Sequence, residues 1–138
     1  MENAGKFYIN GKWIDPISSQ KMDVINPATE EVITQITLAS EEDVDLAVAA
    51  AKRAFVTYSQ TTIDERLGML ERLLAIYKRR YEEVAQTITA ELGAPITMSR
   101  EQQADAGVAH LEDFITVLRD FKTEETLHNG ETLLREPI

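Results

Sequence analysis

The first 39 residues read as strands, and from Ser40 onward the apolar positions change to helical spacing. Phe7-Tyr8-Ile9 and Trp13-Ile14 flank Asn10-Gly11, two residues that tolerate positive φ, which predicts a tight hairpin. Met22 to Ile25 predicts a short strand ended by Asn26-Pro27, since proline cannot donate to a ladder. After the turn Pro27-Ala28-Thr29-Glu30, the alternation of Val32, Thr34, Ile36 and Leu38 against Ile33, Gln35 and Thr37 predicts another strand. Ser40-Glu41-Glu42-Asp43 predicts a capped helix start, and Val44, Ala47, Val48, Ala51 and Phe55 form its apolar stripe, with Lys52 and Arg53 near its end. Thr62-Ile63-Asp64-Glu65 predicts a second start. Its stripe is Leu67, Leu70, Leu74 and Tyr77, and Lys78-Arg79-Arg80 marks its end. Acids at Glu82 and Glu83 open a further helix that Gly93 caps, with Pro95 two residues on. A last helix starts near Thr97 or at Ser99 with Gln102 as box partner. It carries Ala104, Val108, Leu111, Ile115 and Leu118 inward and ends near Phe121. Leu127 to Leu134 repeats the hairpin signal.

Composition narrows the function classes. At 138 residues and 43% hydrophobic, the chain is one ordinary domain by length with enough apolar content for a core. A net charge of −10 repels phosphate backbones, so no nucleic-acid partner is expected. There is no cysteine, which excludes disulfides and a thiolate nucleophile within these residues. Nothing at the N-terminus reads as a signal peptide and no segment reaches membrane-spanning length, so the expected location is cytoplasmic, with no membrane partner.

The chemistry-bearing residues form no constellation. His110 and His128 lack the Glu-x-x-His or His-x-x-x-His pairing of a helical metal site and are expected to be structural or exposed. No glycine belongs to a Gly-x-Gly-x-x-Gly phosphate loop, and no serine sits in a nucleophile elbow. Tyr8 and Trp13 flank the first turn and are expected to pack across the strands.

In order, Asn10-Gly11-Lys12-Trp13, Asn26-Pro27-Ala28-Thr29-Glu30-Glu31-Val32, the Ser40-to-Phe55 helix, Arg66, Glu91-Leu92-Gly93-Ala94-Pro95 and Arg135-Glu136-Pro137-Ile138 resemble the N-terminal portion of an NAD(P)-dependent aldehyde dehydrogenase. Three departures stand out: many members have lysine at Ala94, tryptophan at Tyr58 and glycine at Glu30. These look like surface or packing changes.

The resemblance implies an α/β fold of which this is the N-terminal part: strand hairpins, three or four amphipathic helices, then the start of a β-hairpin arm. Residues 1–122 would belong to the cofactor-binding domain and 123–138 would begin the oligomerisation arm of a homodimer or homotetramer. The catalytic domain would be absent from the chain, which reads as a fragment, inactive alone. The whole enzyme would oxidise a small-molecule aldehyde to a carboxylic acid with NAD or NADP, through a cysteine thioester formed beyond Ile138. No catalytic or cofactor-binding residue is assigned here. By the same resemblance the backbone carbonyls of Val24 and Ile25 and the Glu91 carboxylate would hold a monovalent cation. The alternative is a stand-alone, non-enzymatic assembly or binding module on the same fold. As a lone chain its helix stripes would stay uncovered and expose a large apolar patch.

Overall fold

A computed structural model describes residues 3–135. Three separate antiparallel hairpins bracket a run of helices. The first pairs β1 (Phe7–Ile9) with β2 (Lys12–Ile14), and the second pairs β3 (Lys21–Ile25) with β4 (Val32–Thr37). Asn10 and Gly11 take φ of 53° and 76°, the mirror-image turn their identities announce. Tyr8 packs edge-on against Trp13 across the strands at 5.2 Å, so the aromatic pair holds the hairpin together. At the far end β5 (Glu124–Thr126) pairs with β6 (Thr132–Leu134) around a turn longer than the two-residue hairpin of the sequence reading: Leu127 donates to Glu131, and Gly130 sits at φ 85°. Glu136, Pro137 and Ile138, the last part of the family-like ending, lie outside the described residues.

Between the hairpins run α1 (Glu41–Tyr58), α2 (Ile63–Arg79) and α3 (Tyr81–Leu92). A single turn, α4 (Ile96–Met98), and a π-turn (Ser99–Gln103) then lead into α5 (Ala104–Arg119). Both expected N-terminal boxes form, Ser40 with Asp43 and Thr62 with Glu65. Arg80 ends α2 and begins α3, as the change from bases to acids indicates, and Gly93 closes α3 at φ 70°. Two boundaries differ from the sequence reading. Helix α1 continues past Lys52 and Arg53 to Tyr58, so neither base serves its C-terminus. Arg66 does so instead, donating towards the Tyr58 and Ser59 carbonyls and to Thr61 Oγ1 at 2.8 Å, with its guanidinium over the Tyr58 ring. At the last helix it is the capped start at Ser99 that differs: the helix begins at Ile96, close to the other expected start near Thr97, and Ser99 is buried in a π-turn without Gln102 as a box partner.

The core lies among α2, α3, the π-turn and α5, where Ala85, Ala104 and Ile115 are buried and Leu67, Leu70, Leu74, Tyr77, Val108, Leu111 and Leu118 are half-buried. These stripes meet as their spacing requires. The stripe on α1 does not: Val44, Val48 and Phe55 remain exposed, and only Ala50 and Asp43 are buried, because little but β1 lies against that helix. The whole chain exposes 10354 Å², whereas a compact monomer of 15.5 kDa exposes about 7,200 Å². The expectation of uncovered stripes is met on α1, at Val48 and Phe55, and not on α2 and α5, where Leu70, Leu74, Leu111 and Ile115 pack into the core.

Candidate functional site

The Asn26–Glu31 turn is fixed by its own side chains. Asn26 Oδ1 accepts from the Ala28 amide at 2.9 Å, the Asn26 carbonyl accepts from Glu30 at 2.8 Å, and the Asn26 amide donates to Glu31 at 2.9 Å. Glu30 pays for this turn in backbone strain, since its φ is 61°. The glycine found there in many family members is therefore a backbone requirement that glutamate meets at a cost, not a surface change.

Gly93 brings the end of α3 onto this turn. A Cβ at Gly93 would stand 3.0 Å from the Ala28 nitrogen and 3.1 Å from Pro27 Cγ, so glycine is needed both for its φ and for the close approach. Two residues before Gly93, Glu91 lies exposed on the last turn of α3. Just ahead of the Asn-Pro turn, the ladder slips: Val24 faces Thr34 but Ile25 faces Val32, a bulge that leaves Ile33 extra. Val24 is half-buried and Ile25 exposed. Backbone carbonyls and a carboxylate are the oxygen ligands that hard cations take. Among the described residues no group of three His, Cys, Asp or Glu side chains converges, so any cation here would depend on those carbonyls. His110 and His128 are both exposed.

The described helix starts offer little to a dinucleotide's pyrophosphate, which helix N-termini bind through free amides. The first turns of α1 and α2 are closed by their own boxes, and Glu41, Glu42, Asp64, Glu82 and Glu83 place negative charge at the starts of α1, α2 and α3.

One acid has a role that the sequence reading missed. Asp43 is only 2% exposed, and besides the Ser40 amide and hydroxyl its carboxylate accepts the Ile17 amide at 2.8 Å and the Ser18 amide at 3.2 Å. It ties the loop after β2 to the start of α1. The Ile17 amide, followed by the Ser40 amide, lowers its pKa to about 2. The capping pattern revealed only the local half of this arrangement; the donors from Ile17 and Ser18 are 26 and 25 residues away. Glu82 is likewise held at about 2, first by the two-bonded guanidinium of Arg100 and then by Gln86.

The sequence profile of the aldehyde dehydrogenase family matches residues 13–138, and the chain belongs to that family, as its N-terminal portion. It is 42% identical to 3-succinoylsemialdehyde-pyridine dehydrogenase of a Pseudomonas species, over 99% of this chain and 29% of that protein. Among solved structures, it superposes on aldehyde dehydrogenase of Bartonella henselae with a TM-score of 0.90 and 43% identity, over 94% of this chain and 27% of that one. On aldehyde dehydrogenase C of Pseudomonas syringae, crystallised with NAD+ and octanal, the TM-score is 0.93 and the identity 37%, over 99% and 28% of the two chains. The chain thus spans under a third of the length of these relatives.

Proposed function

We propose that this chain is the N-terminal layer of an enzyme that oxidises an aldehyde to a carboxylic acid with NAD or NADP. In this reading residues 1–122 belong to the cofactor-binding domain, and residues from 123 begin an arm that pairs subunits into a homodimer or homotetramer. The observation that carries it is the match of residues 13–138 to the family, together with helix faces left uncovered over a surface far larger than a compact chain of this mass exposes. The bound dinucleotide would accept the hydride; the residues described here touch no reacting atom and act by shaping and rigidifying the layer beside it. The reaction is placed in the cytoplasm; among the described residues no helix is long and apolar enough to cross a membrane. The alternative of a non-enzymatic module finds no support in relatives that are dehydrogenases.

The test is a spectrophotometric assay of the protein expressed in its natural reading frame, with octanal and either NAD+ or NADP+. Aldehyde-dependent growth of absorbance from reduced nicotinamide supports the reading, and none with any of a panel of aldehydes overturns it. The 138-residue chain assayed alone forms no reduced cofactor, because it has no cysteine to attack the carbonyl.

Within this layer, the Val24 and Ile25 carbonyls and the Glu91 carboxylate hold a monovalent cation. The seating of Gly93 against Pro27 and Ala28 supports the site, since these residues are neighbours in sequence of Glu91 and Ile25. Sodium or potassium should raise the melting temperature of the parent protein over its value in a large organic cation, and Glu91→Gln should remove that difference. An equal response in the variant would dismiss the site.

A further inference from the structure

Ser99 and Ala104 are both fully buried, at 0% exposure, yet five residues apart. An α-helix turns about 100° per residue, so positions five apart stand roughly 140° from each other and do not share a face. The π-turn resolves this conflict: the Ala104 amide donates to the Ser99 carbonyl, five residues back. One extra residue is looped into the turn, and the buried face of α5 comes back into line with Ser99.

The donors to the backbone carbonyls of the widened turn and of the residue after it come from one place, the junction of α2 and α3. Tyr77 Oη donates to the Ala104 carbonyl at 2.9 Å, and Tyr81 Oη donates to the Arg100 carbonyl. The two rings stand edge to face, 6.5 Å between centroids. Beside them Glu82 takes the Arg100 guanidinium through bonds of 2.8 and 2.6 Å, so residue 100 is gripped by both its backbone and its side chain. Behind the turn, Thr89 Oγ1 donates to Ser99 Oγ at 2.9 Å, and Ser99 Oγ donates to Gln103 Oε1 at 3.2 Å. Gly107 clears the path for Tyr77, because a Cβ there would overlap the tyrosine hydroxyl.

We propose that Ser99–Gln103 is a helix joint with two registers, and that Tyr77 and Tyr81 are positioning residues that hold it in the wide one. In the narrow register ordinary α-helical hydrogen bonds run through residues 99–104. The segment ahead of them then rotates by one residue about the α5 axis. That rotation moves the Gly93–Pro95 turn relative to Pro27–Ala28, on which Gly93 is seated, so the joint sets how the end of α3 meets the Asn-Pro turn. The inference rests on the hydrogen bonds of the turn and stands whether or not a cation binds nearby.

The test is a deletion cycle made in the intact protein as purified. Deleting Gln102, an exposed residue, leaves Ser99 and Ala104 four apart and on one α-helical face. This variant should fold, with its melting temperature within about 5 °C of the parent. Deleting the exposed Asp113 from the regular part of α5 should abolish cooperative unfolding, because it turns Ile115 and Leu118 out of register with the stripe before them. The pair Tyr77→Phe and Tyr81→Phe should lower the parent's melting temperature by about 5 °C and speed amide exchange at residues 103–105 about tenfold. In the Gln102 deletion the same pair should shift it by only about half as much, since an ordinary helical turn takes the Arg100 carbonyl from Tyr81 while Tyr77 keeps that of Ala104, the first residue of α5. Deletion of Gln102 as damaging as deletion of Asp113 would overturn the proposal. So would an equal effect of the tyrosine pair in both backgrounds, or no effect of the pair in the parent.

Discussion

The helical cluster of α2, α3 and α5 and the first helix, α1, are made of similar material but differ in what they rest on. Each has an apolar stripe at helical spacing, and α1 and α2 each have a complete N-terminal box. In the cluster the stripes of α2 and α5 face one another, and Ile115 falls to 6% exposure. On α1, Val56 remains 70% exposed, and the end of α5 shares that condition at Phe114 and Val117. Local sequence can therefore specify a helix and its apolar face, but not whether this stretch of chain contains the surface that covers it. The cluster is a core; α1 and the outer face of α5 keep large apolar side chains exposed.

The largest expected effect breaks the cluster from inside. Gly107→Ala forces a methyl into the Tyr77 hydroxyl and should destabilise the protein by about 1–3 kcal/mol, measured by urea unfolding. Next is Gly93→Ala, where an unfavourable φ and contact with Ala28 combine to cost about 1–2 kcal/mol. Such a variant should also loosen the Asn26–Glu31 turn, visible as faster exchange of the Ala28 and Glu30 amides.

Asp43→Ala sharpens the boundary between the two regions. It should release the Ile17, Ser18 and Ser40 amides to exchange while leaving α2, α3 and α5 protected. The parent should show the same release in acid. Asp43 has a folded pKa below its ordinary value near 4, so its contribution is present above that value and is lost as pH falls towards about 2. Glu82 follows the same sign across the same window, so acid should also weaken its hold on Arg100. Of smaller size, Glu30→Gly should stabilise by about 0.5 kcal/mol by relieving a left-handed glutamate, the gain being reduced by glycine's unfolded-state entropy. Smallest of all, Phe114→Ser and Val117→Ser should change the unfolding free energy of the isolated chain by less than about 0.5 kcal/mol, yet raise its solubility.

Much of this architecture was legible because its signals are local. Asn10-Gly11 required its turn, Ser40 and Thr62 their boxes, Gly93 its left-handed cap, and Arg80 next to Glu82 a helix break. The family was legible from the Asn26-to-Val32 turn and the order of the other segments. Other features depend on residues far apart in the chain. Nothing beside Asp43 announces Ile17 and Ser18 as its partners, and Arg66 reaches back across a loop to serve a helix end that Lys52 and Arg53 were expected to serve. The π-turn left one readable trace, two small residues five apart where helical spacing calls for three or four. Ser99 satisfies the capping pattern equally well, which makes it one of the two starts the sequence offers, beside the one near Thr97. The seating of Gly93 on Pro27–Ala28, beside the proposed cation ligands in sequence, is a long-range contact that no local pattern announces.

The most direct test of the contrast between core and interface is amide hydrogen exchange of the 138-residue chain, compared with the same residues inside the whole protein. Amides of α2, α3 and the first half of α5 should be protected to similar extents in both. Those of α1 and of the β5–β6 hairpin should exchange much faster in the isolated chain and gain protection in the whole protein. Equal protection of α1 and α2 in the isolated chain, unchanged in the larger protein, would contradict the account and make this a self-sufficient domain.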